Sequence, residues 1–469
     1  MITKSVKTQG ISRWLISPAI AMALAWCLAD RTLAQETHAK SPLTLREAVA
    51  IALEKNPQRK AALADTKAAS ASVQESRSFL LPHLMFSETG IRGNDPVYVF
   101  GSKLRQQRFT TADFALNRLN TPTPLNNFST RFGGTWNLFD SFASWRGVTR
   151  AERGKEAATH QLERADQEIV FAVVNSYYGV LLAKKELEVA EQAIKTAQAI
   201  LDRSKSRFES GVAVESDLLN AQVRLAARKQ ELIRAQNNLS LARAELGKAM
   251  GISTEGQLEP VESLAERTLP STPMEGLEKQ ALEMRPDLKR IRSEEAVQQQ
   301  SVAIARSSFG PRVNGFANWE ADNPTFASGG GGNNWTAGFE VQLDLFQGGA
   351  KRAELQRQRA LQEKLAALKD AASDVIRLEV RRAYYDLDAA RQQVEVAKAA
   401  IAQAQESLRI TQNRYESGVS TITDLLTAEE AASRTQADYW QTVYRFHTGY
   451  ANLELATGTL NPQSPVVTP

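Results

Sequence analysis

The sequence predicts an α+β chain in which long antiparallel coiled-coil helices carry four short strands of membrane-crossing length. Three observations predict it: an internal duplication, helical seams with a seven-residue repeat, and segments of about ten residues that alternate apolar and polar side chains.

The duplication comes first because it organises the other two. Asn56-Pro57 matches Arg285-Pro286, and Phe79-Leu80-Leu81-Pro82 matches Ser308-Phe309-Gly310-Pro311, both at an offset of 229. Further on, Leu138-Phe139 matches Leu345-Phe346 and Tyr177-Tyr178 matches Tyr384-Tyr385, at an offset of 207. A single length difference of 22, between Pro82 and Leu138, reconciles the two offsets. The register divides the 469 residues into a leader (1–34), a first repeat (35–251), a linker (252–272), a second repeat (273–458) and a tail (459–469). The first repeat is expected to contain a helix, two strands joined by a long external loop, a long helix, a tip turn and a return helix.

The helices follow. Ala383, Leu387, Ala390, Val394, Ala397, Ile401, Ala404 and Leu408 are spaced alternately four and three apart. Val180, Ala183, Leu187, Ala190, Ile194, Ala197 and Leu201 do the same in the first repeat. A sustained seven-residue period means coiled-coil packing, and alanine alternating with larger residues lets the backbones approach closely. No proline falls between Arg146 and Glu259 or between Gly349 and Leu460, so helices from about Ser144 to Phe208 and from Ala350 to Tyr415 run unbroken. Each outward helix should span about 95 Å. Lengths match if Glu215–Met250 and Pro273–Ser307 return beside the first, and Thr421–Ala456 and Leu43–Arg77 beside the second. The linker and tail, rich in Pro, Ser and Thr, should form irregular structure part-way along the rod.

The strands alternate with period two. Trp335, Ala337, Phe339, Val341, Leu343 and Leu345 make one apolar row; Val313, Gly315, Ala317 and Trp319 make another; Phe132, Gly134, Trp136 and Leu138 a third. The segment around Leu84 and Phe86 is weaker, because Glu88 breaks its apolar row. Four strands cannot close a barrel, and lipid does not tolerate an open edge, so copies must share one. Two copies would give eight strands filled by side chains, and three would give twelve around an open lumen.

The amino terminus reads as a secretory signal. Lys4, Lys7 and Arg13 precede the apolar run Trp14–Ala29, and Thr32-Leu33-Ala34 offers small residues for cleavage before Gln35. The run is short for a membrane helix. Leu24-Ala25-Trp26-Cys27 is lipobox-like, but Trp26 is too large for that site. The only cysteine, Cys27, leaves with the leader, and the formal charge falls from +4 to +1. The basic pI therefore argues nothing for a nucleic-acid partner.

Two paired motifs carry a family resemblance. They are Arg207-Phe-Glu-Ser-Gly-Val-x-x-x-x-Asp217-Leu-Leu-x-Ala221 and Arg414-Tyr-Glu-Ser-Gly-Val-x-x-x-x-Asp424-Leu-Leu-x-Ala428. With the surrounding repeats, they resemble the TolC-like outer-membrane factor family over essentially the whole mature chain. The resemblance implies a homotrimer with a shared twelve-stranded barrel in outer-membrane lipid and an α-helical tunnel across the periplasm. It also implies that the tunnel mouth docks a periplasmic adaptor (membrane fusion) protein and an inner-membrane pump, with no enzymatic activity and no cofactor. The family closes its mouth with polar links and an aspartate ring, and Asp217, Tyr415 and Asp424 match such positions. Ser420 stands where the type member has a linking arginine, and Thr427 where it has a second ring aspartate. Capping competes as a role for the two aspartates, with Thr421 and Asp424 forming a capping-box-like pair. The near-identical tips Ser210-Gly211-Val212 and Ser417-Gly418-Val419 are the expected adaptor-docking surface, and their glycines also suit helix ends.

Other signals point nowhere else. Gly329–Gly332 lacks a following Lys-Ser/Thr and reads as an external loop. The Gly93–Asn127 loop, with Tyr98, Phe100, Phe109 and Phe114, reads as a cap over the barrel mouth. His38, His83, His160 and His447 lack metal spacing, and the helix carboxylates suit solvated coiled-coil faces. Within transport, efflux competes with one-step (type I) protein secretion. A non-conducting periplasmic tether is the rival class, disfavoured by strands with a polar face.

Overall fold

The computed structural model describes residues 42–252, 258–266, 273–326 and 332–468. The expected leader, Cys27, His38 and parts of the linker and of the glycine run lie outside the described residues. The first repeat runs β1 (Pro42–Leu43), α1 (Leu45–Lys55), α2 (Pro57–Ser78), β2 (His83–Gly93), α3 (Pro96–Arg105), α4 (Leu116–Asn120), β3 (Leu125–Phe139), α5 (Ala143–Glu209) and α6 (Glu215–Met250). After β4 (Glu259–Pro260), the second repeat runs α7 (Leu277–Met284), α8 (Pro286–Ser307), β5 (Arg312–Asn323), β6 (Gly332–Gln342), α9 (Ala350–Glu416) and α10 (Ile422–Thr457).

The two longest helices, α5 and α9, have 67 residues each, about 100 Å of rise. Every seam position expected from the seven-residue repeat is buried or half-buried in them. Among the described residues no helix is long and apolar enough to cross a membrane.

The return paths differ from the sequence expectation in two ways. The expected pieces Leu43–Arg77 and Pro273–Ser307 are each broken at a proline, because a proline ring forces the preceding residue out of the helical region, while the other two return pieces are continuous. Asn56 accordingly has φ −60° and ψ 127°, and Arg285 has φ −60° and ψ 124°. The partners are also exchanged: Glu215–Met250 is continued by Pro57–Ser78, not by 273–307. The joint explains why. Gly251 ends α6 at φ 70° and abuts Asn56, whose Nδ2 donates to the Ala249 carbonyl at 2.9 Å. In the second repeat Gly458 ends α10 at φ 76° against Arg285, whose Nη1 donates to the Ala456 carbonyl at 3.4 Å. Helix C-terminal carbonyls that would otherwise lack partners are thus met by the residue before the proline.

A Cβ at Gly458 would lie 2.8 Å from the Arg285 Cα. Gly458→Ala should therefore cost at least about 2 kcal/mol, from positive φ and from displaced backbone. Gly147→Ala, within α5 and with nothing inside 4 Å of a new Cβ, should leave the thermal midpoint unchanged or raise it. Thermal unfolding of both variants checks this.

The rod's middle holds the largest apolar core, built from Leu45, Val49, Tyr177, Leu246, Met250 and Leu264 among others, with Leu460, Val466 and Val467 of the tail packed in. The linker is not wholly irregular: β4 pairs in parallel with β1, and the Tyr177 hydroxyl donates to the Leu43 carbonyl at 2.8 Å.

At the rod's other end β2, β3, β5 and β6 form one antiparallel sheet in that order. Register aligns Phe86, Phe132, Trp319 and Trp335 across it as an exposed aromatic band. The opposite face carries Ser87, Arg131, Glu320 and Asn334 in one cross-strand row. One apolar and one polar face is the signature of a lipid-facing barrel wall. The weak first strand is full length, paired with β3 from His83 to Gly93, and Thr130 Oγ1 on that neighbour donates to Glu88 at 2.5 Å. β6 ends at Gln342, short of Leu343 and Leu345.

Strand turns to helix at equivalent hinges, Ser141-Phe142 (φ 58°, 68°) and Gly348-Gly349 (φ 58°, 86°). Both use two successive left-handed residues, a conformation that comes without strain only to the glycine pair.

Candidate functional site

The expected mouth residues lie where α5 turns into α6 and α9 into α10. Each turn closes by the same hydrogen bonds. Gly211 N donates to Phe208 O at 2.9 Å and Val212 N to Arg207 O at 2.9 Å. Gly418 N donates to Tyr415 O at 3.1 Å and Val419 N to Arg414 O at 2.9 Å. With Gly211 at φ 71° and Gly418 at φ 75°, these are Schellman ends, in which glycine takes the left-handed position. Ser210 and Ser417 cap the preceding helices, and their hydroxyls donate to Ser206 O and Asn413 O. Val212 and Val419 are each 67% exposed, so both tips present an apolar side chain outward.

The three expected gate residues fall into different surroundings. Asp424 sits in a capping box: its carboxylate accepts from Thr421 N at 3.0 Å, Thr421 Oγ1 at 2.7 Å and Ser420 Oγ at 3.0 Å. The Thr421 backbone bond, helped by the two hydroxyls, holds its pKa below the usual aspartate value. Asp217 lies in the first turn of α6, half-buried. Tyr415 is buried, its hydroxyl 3.2 Å from Ser204 Oγ. No hydrogen bond joins Asp217 to Tyr415 within the chain among the described residues.

The two hairpins are coupled partly by motif residues and partly by residues outside the motifs. Arg207 reaches from α5 to the end of α9, where its Nη1 donates to Tyr415 O and Glu416 O, each at 3.1 Å. Its guanidinium also covers the Tyr415 ring at 5.0 Å, and Arg203 pairs with Glu416. Deeper in the bundle, Arg224 and Arg228 of α6 both grip Glu429 of α10, at 2.9 and 2.8 Å. The Arg228 and Glu429 side chains are only 6% and 2% exposed. Burial opposes charge on Arg228, yet hydrogen bonds to Glu429 and Glu231 outweigh it and raise its pKa. Arg224 also meets the exposed Glu430 at 3.1 Å.

A signal for these residues does exist in the sequence. At the 207-residue offset Arg224 answers Ala431, Arg228 answers Thr435, Glu429 answers Gln222, and Tyr415 answers Phe208. The buried cluster deeper in the bundle is thus where the repeat is chemically broken, whereas Arg207 and Glu416 nearer the tips match Arg414 and Glu209. This follows from packing, since two unlike surfaces must meet where repeat one touches repeat two.

The chain's likeness to known proteins agrees with this geometry. The family model for outer membrane efflux proteins matches residues 48–252 and 277–459. The outer membrane protein TolC of Vibrio cholerae is 24% identical, over 88% of this chain and 90% of that protein. The alkaline protease secretion protein AprF of Pseudomonas aeruginosa is 25% identical, over 89% of this chain and 85% of that protein. Among solved structures, the outer membrane protein VceC of Vibrio cholerae superposes with a TM-score of 0.75 at 20% identity, covering 88% of this chain and 96% of that one, which shows the shared fold. The chain therefore belongs to the outer membrane efflux protein family: it is an outer-membrane export channel with a large periplasmic portion.

Proposed function

We propose that three copies form one duct that takes substrates from an inner-membrane pump through a periplasmic adaptor and releases them outside, without covalent chemistry. The observation that carries this is the sheet with two bare edges. β2 and β6 border it, neither paired with a further strand among the described residues, and its exposed aromatic face suits lipid. Bare edges in lipid must be paired, so β6 of one copy meets β2 of the next. Three copies then enclose an open lumen with twelve strands, whereas two would be filled by side chains. Crosslinking in mild detergent should give a ladder that ends at three. A monomer that stays inserted in outer membranes would overturn the reading. The similarity to AprF, named for protease secretion, also supports a second reading, in which the duct serves a type I protein-secretion system.

The periplasmic mouth is the gate in this reading. Asp217 and Asp424 begin return helices at matching turns, so threefold symmetry places each in a ring whose charge attracts cations. Asp424→Asn keeps a capping oxygen but loses the charge. It should lower cation preference and divalent-cation block in planar bilayers while leaving the trimer as stable as before. Unchanged selectivity and block would leave Asp424 with capping alone.

A further inference from the structure

We infer that the segment between β2 and β3 lies inside the barrel and forms a second, exterior restriction that favours anions. The inference rests on the duct reading above and extends it to the exit.

The placement is read from the faces of the sheet. Asn127, Ser129 and Arg131 of β3 point to the polar face, with Glu320 and Asp322 opposite them on β5. The segment docks on that face. Gln106, at the end of α3, donates from Nε2 to Asn127 Oδ1 at 2.8 Å, and Asn127 Nδ2 donates to Asp322 Oδ1 at 2.6 Å. Gln106 and Asp322 are 2% and 0% exposed. A buried chain of fully polar groups is worth its desolvation only when its partners are fixed, so it locates the segment rather than merely tethering it. The Arg105 carbonyl sits so close to Gly332, at the start of β6, that a Cβ there would come within 1.9 Å. The segment is also held to itself, by the Phe100–Phe109–Phe114 edge-on stack and by the Lys103–Asp113 pair at 2.6 Å. It leaves the end of the sheet remote from the helices, which is the exterior end of an outer-membrane channel.

The apolar face meets lipid, so the polar face meets the lumen. The segment therefore projects into the exit path, and threefold symmetry brings three copies together there. Between it and the strands is a cavity of about 420 Å³ lined by Ser87, Thr89, Arg105, Ser129, Arg131 and Glu320. Glu320 is held there by Arg131 at 3.0 Å, Ser129 at 2.5 Å and Arg105 at 3.5 Å. One carboxylate thus faces two guanidinium groups. Lys103, Arg105, Arg108 and Arg118 against Asp95 and Asp113 give residues 94–124 a net charge of +2, and Arg131 against Glu320 and Asp322 on the strands behind them leaves an excess of +1. A narrow passage lined by excess positive charge admits anions ahead of cations.

The test uses the full-length chain in intact cells. Ser87→Cys places a thiol in the cavity, to be labelled from outside by impermeant thiol reagents of either charge. Labelling should be slow, and faster for the anionic reagent than for the cationic one. Replacing residues 96–123 by a Gly-Ser linker should speed both by about tenfold or more, by opening the lumen. Arg105→Gln with Arg131→Gln, which keeps the segment, should remove the preference between reagents. Rates that match those of the loop-replaced chain, or a preference unmoved by the double substitution, would overturn the exterior restriction and leave the duct intact. A cysteine that no reagent reaches from outside, even in the loop-replaced chain, would overturn the duct reading with it.

Discussion

Glu429→Ala is expected to open the periplasmic mouth, raising basal conductance in planar bilayers by about tenfold or more. The reason is the burial of its partner. Removing Glu429 leaves the Arg228 guanidinium, at 6% exposure, with only the half-exposed Glu231 on its own helix. Breaking a buried pair costs about 3–5 kcal/mol, chiefly because a desolvated charge is left behind. The chain can recover that cost by parting α6 from α10, which returns water to Arg228. A shift of even 3 kcal/mol moves a two-state equilibrium by about two orders of magnitude.

Two comparisons separate gating from general damage. Glu430→Ala removes an exposed partner of Arg224; exposed pairs are worth about 0–1 kcal/mol, so conductance should barely change. Arg228→Met with Glu429→Met replaces the buried pair by apolar side chains, which is often neutral or stabilising, and should return the mouth to its closed conductance. If all three variants conduct like the unaltered channel, the cluster holds the bundle together without governing opening.

How much of this was legible in the sequence depends on whether a feature is local or is made by tertiary contact. The long helices, their seams and the two tips were legible because period and glycine placement are local properties. Asp424 was legible as a helix cap, which the structure shows, and as a candidate gate residue, which remains the proposal above. Pro57 and Pro286 served to align the repeats, although their local meaning is a broken helix. The partner of Glu215–Met250 was not legible. It is chosen by Gly251 abutting Asn56 across the chain, whereas length matching favoured the next segment in sequence. Arg224, Arg228 and Glu429 showed in the sequence only as breaks in the repeat, for a related reason. Each looks like an ordinary charge on a solvated helix face, and only contact between the hairpins buries it. The docking of the β2–β3 segment on the polar face of the sheet was hidden likewise, since it is made by contacts such as that of Gln106 with Asn127, which sequence spacing does not show.

Val212→Asp combined with Val419→Asp should abolish export while leaving assembly intact. Both valines follow a left-handed glycine, and each gives the turn only its backbone N–H, at 2.9 Å to Arg207 O and to Arg414 O. Their side chains are 67% exposed and do not contribute to the tip core of Ile200, Ala221, Tyr415, Ile422 and Leu425. An aspartate in either place keeps that backbone bond, so folding should change by no more than about 0.5 kcal/mol, as for other surface substitutions. In the proposed trimer three chains would present six such tips, suited to six quasi-equivalent contacts with a partner. An apolar contact at the centre of each would become a carboxylate that docking must desolvate, at a cost of several kcal/mol per site unless it is paired. Summed over six sites, that loss leaves no useful affinity. Trimer crosslinking and heat dissociation should match the unaltered channel, while co-purification of the adaptor and export by the complete system are lost. A double variant that assembles, retains the adaptor and exports normally would show that docking lies elsewhere on the rod.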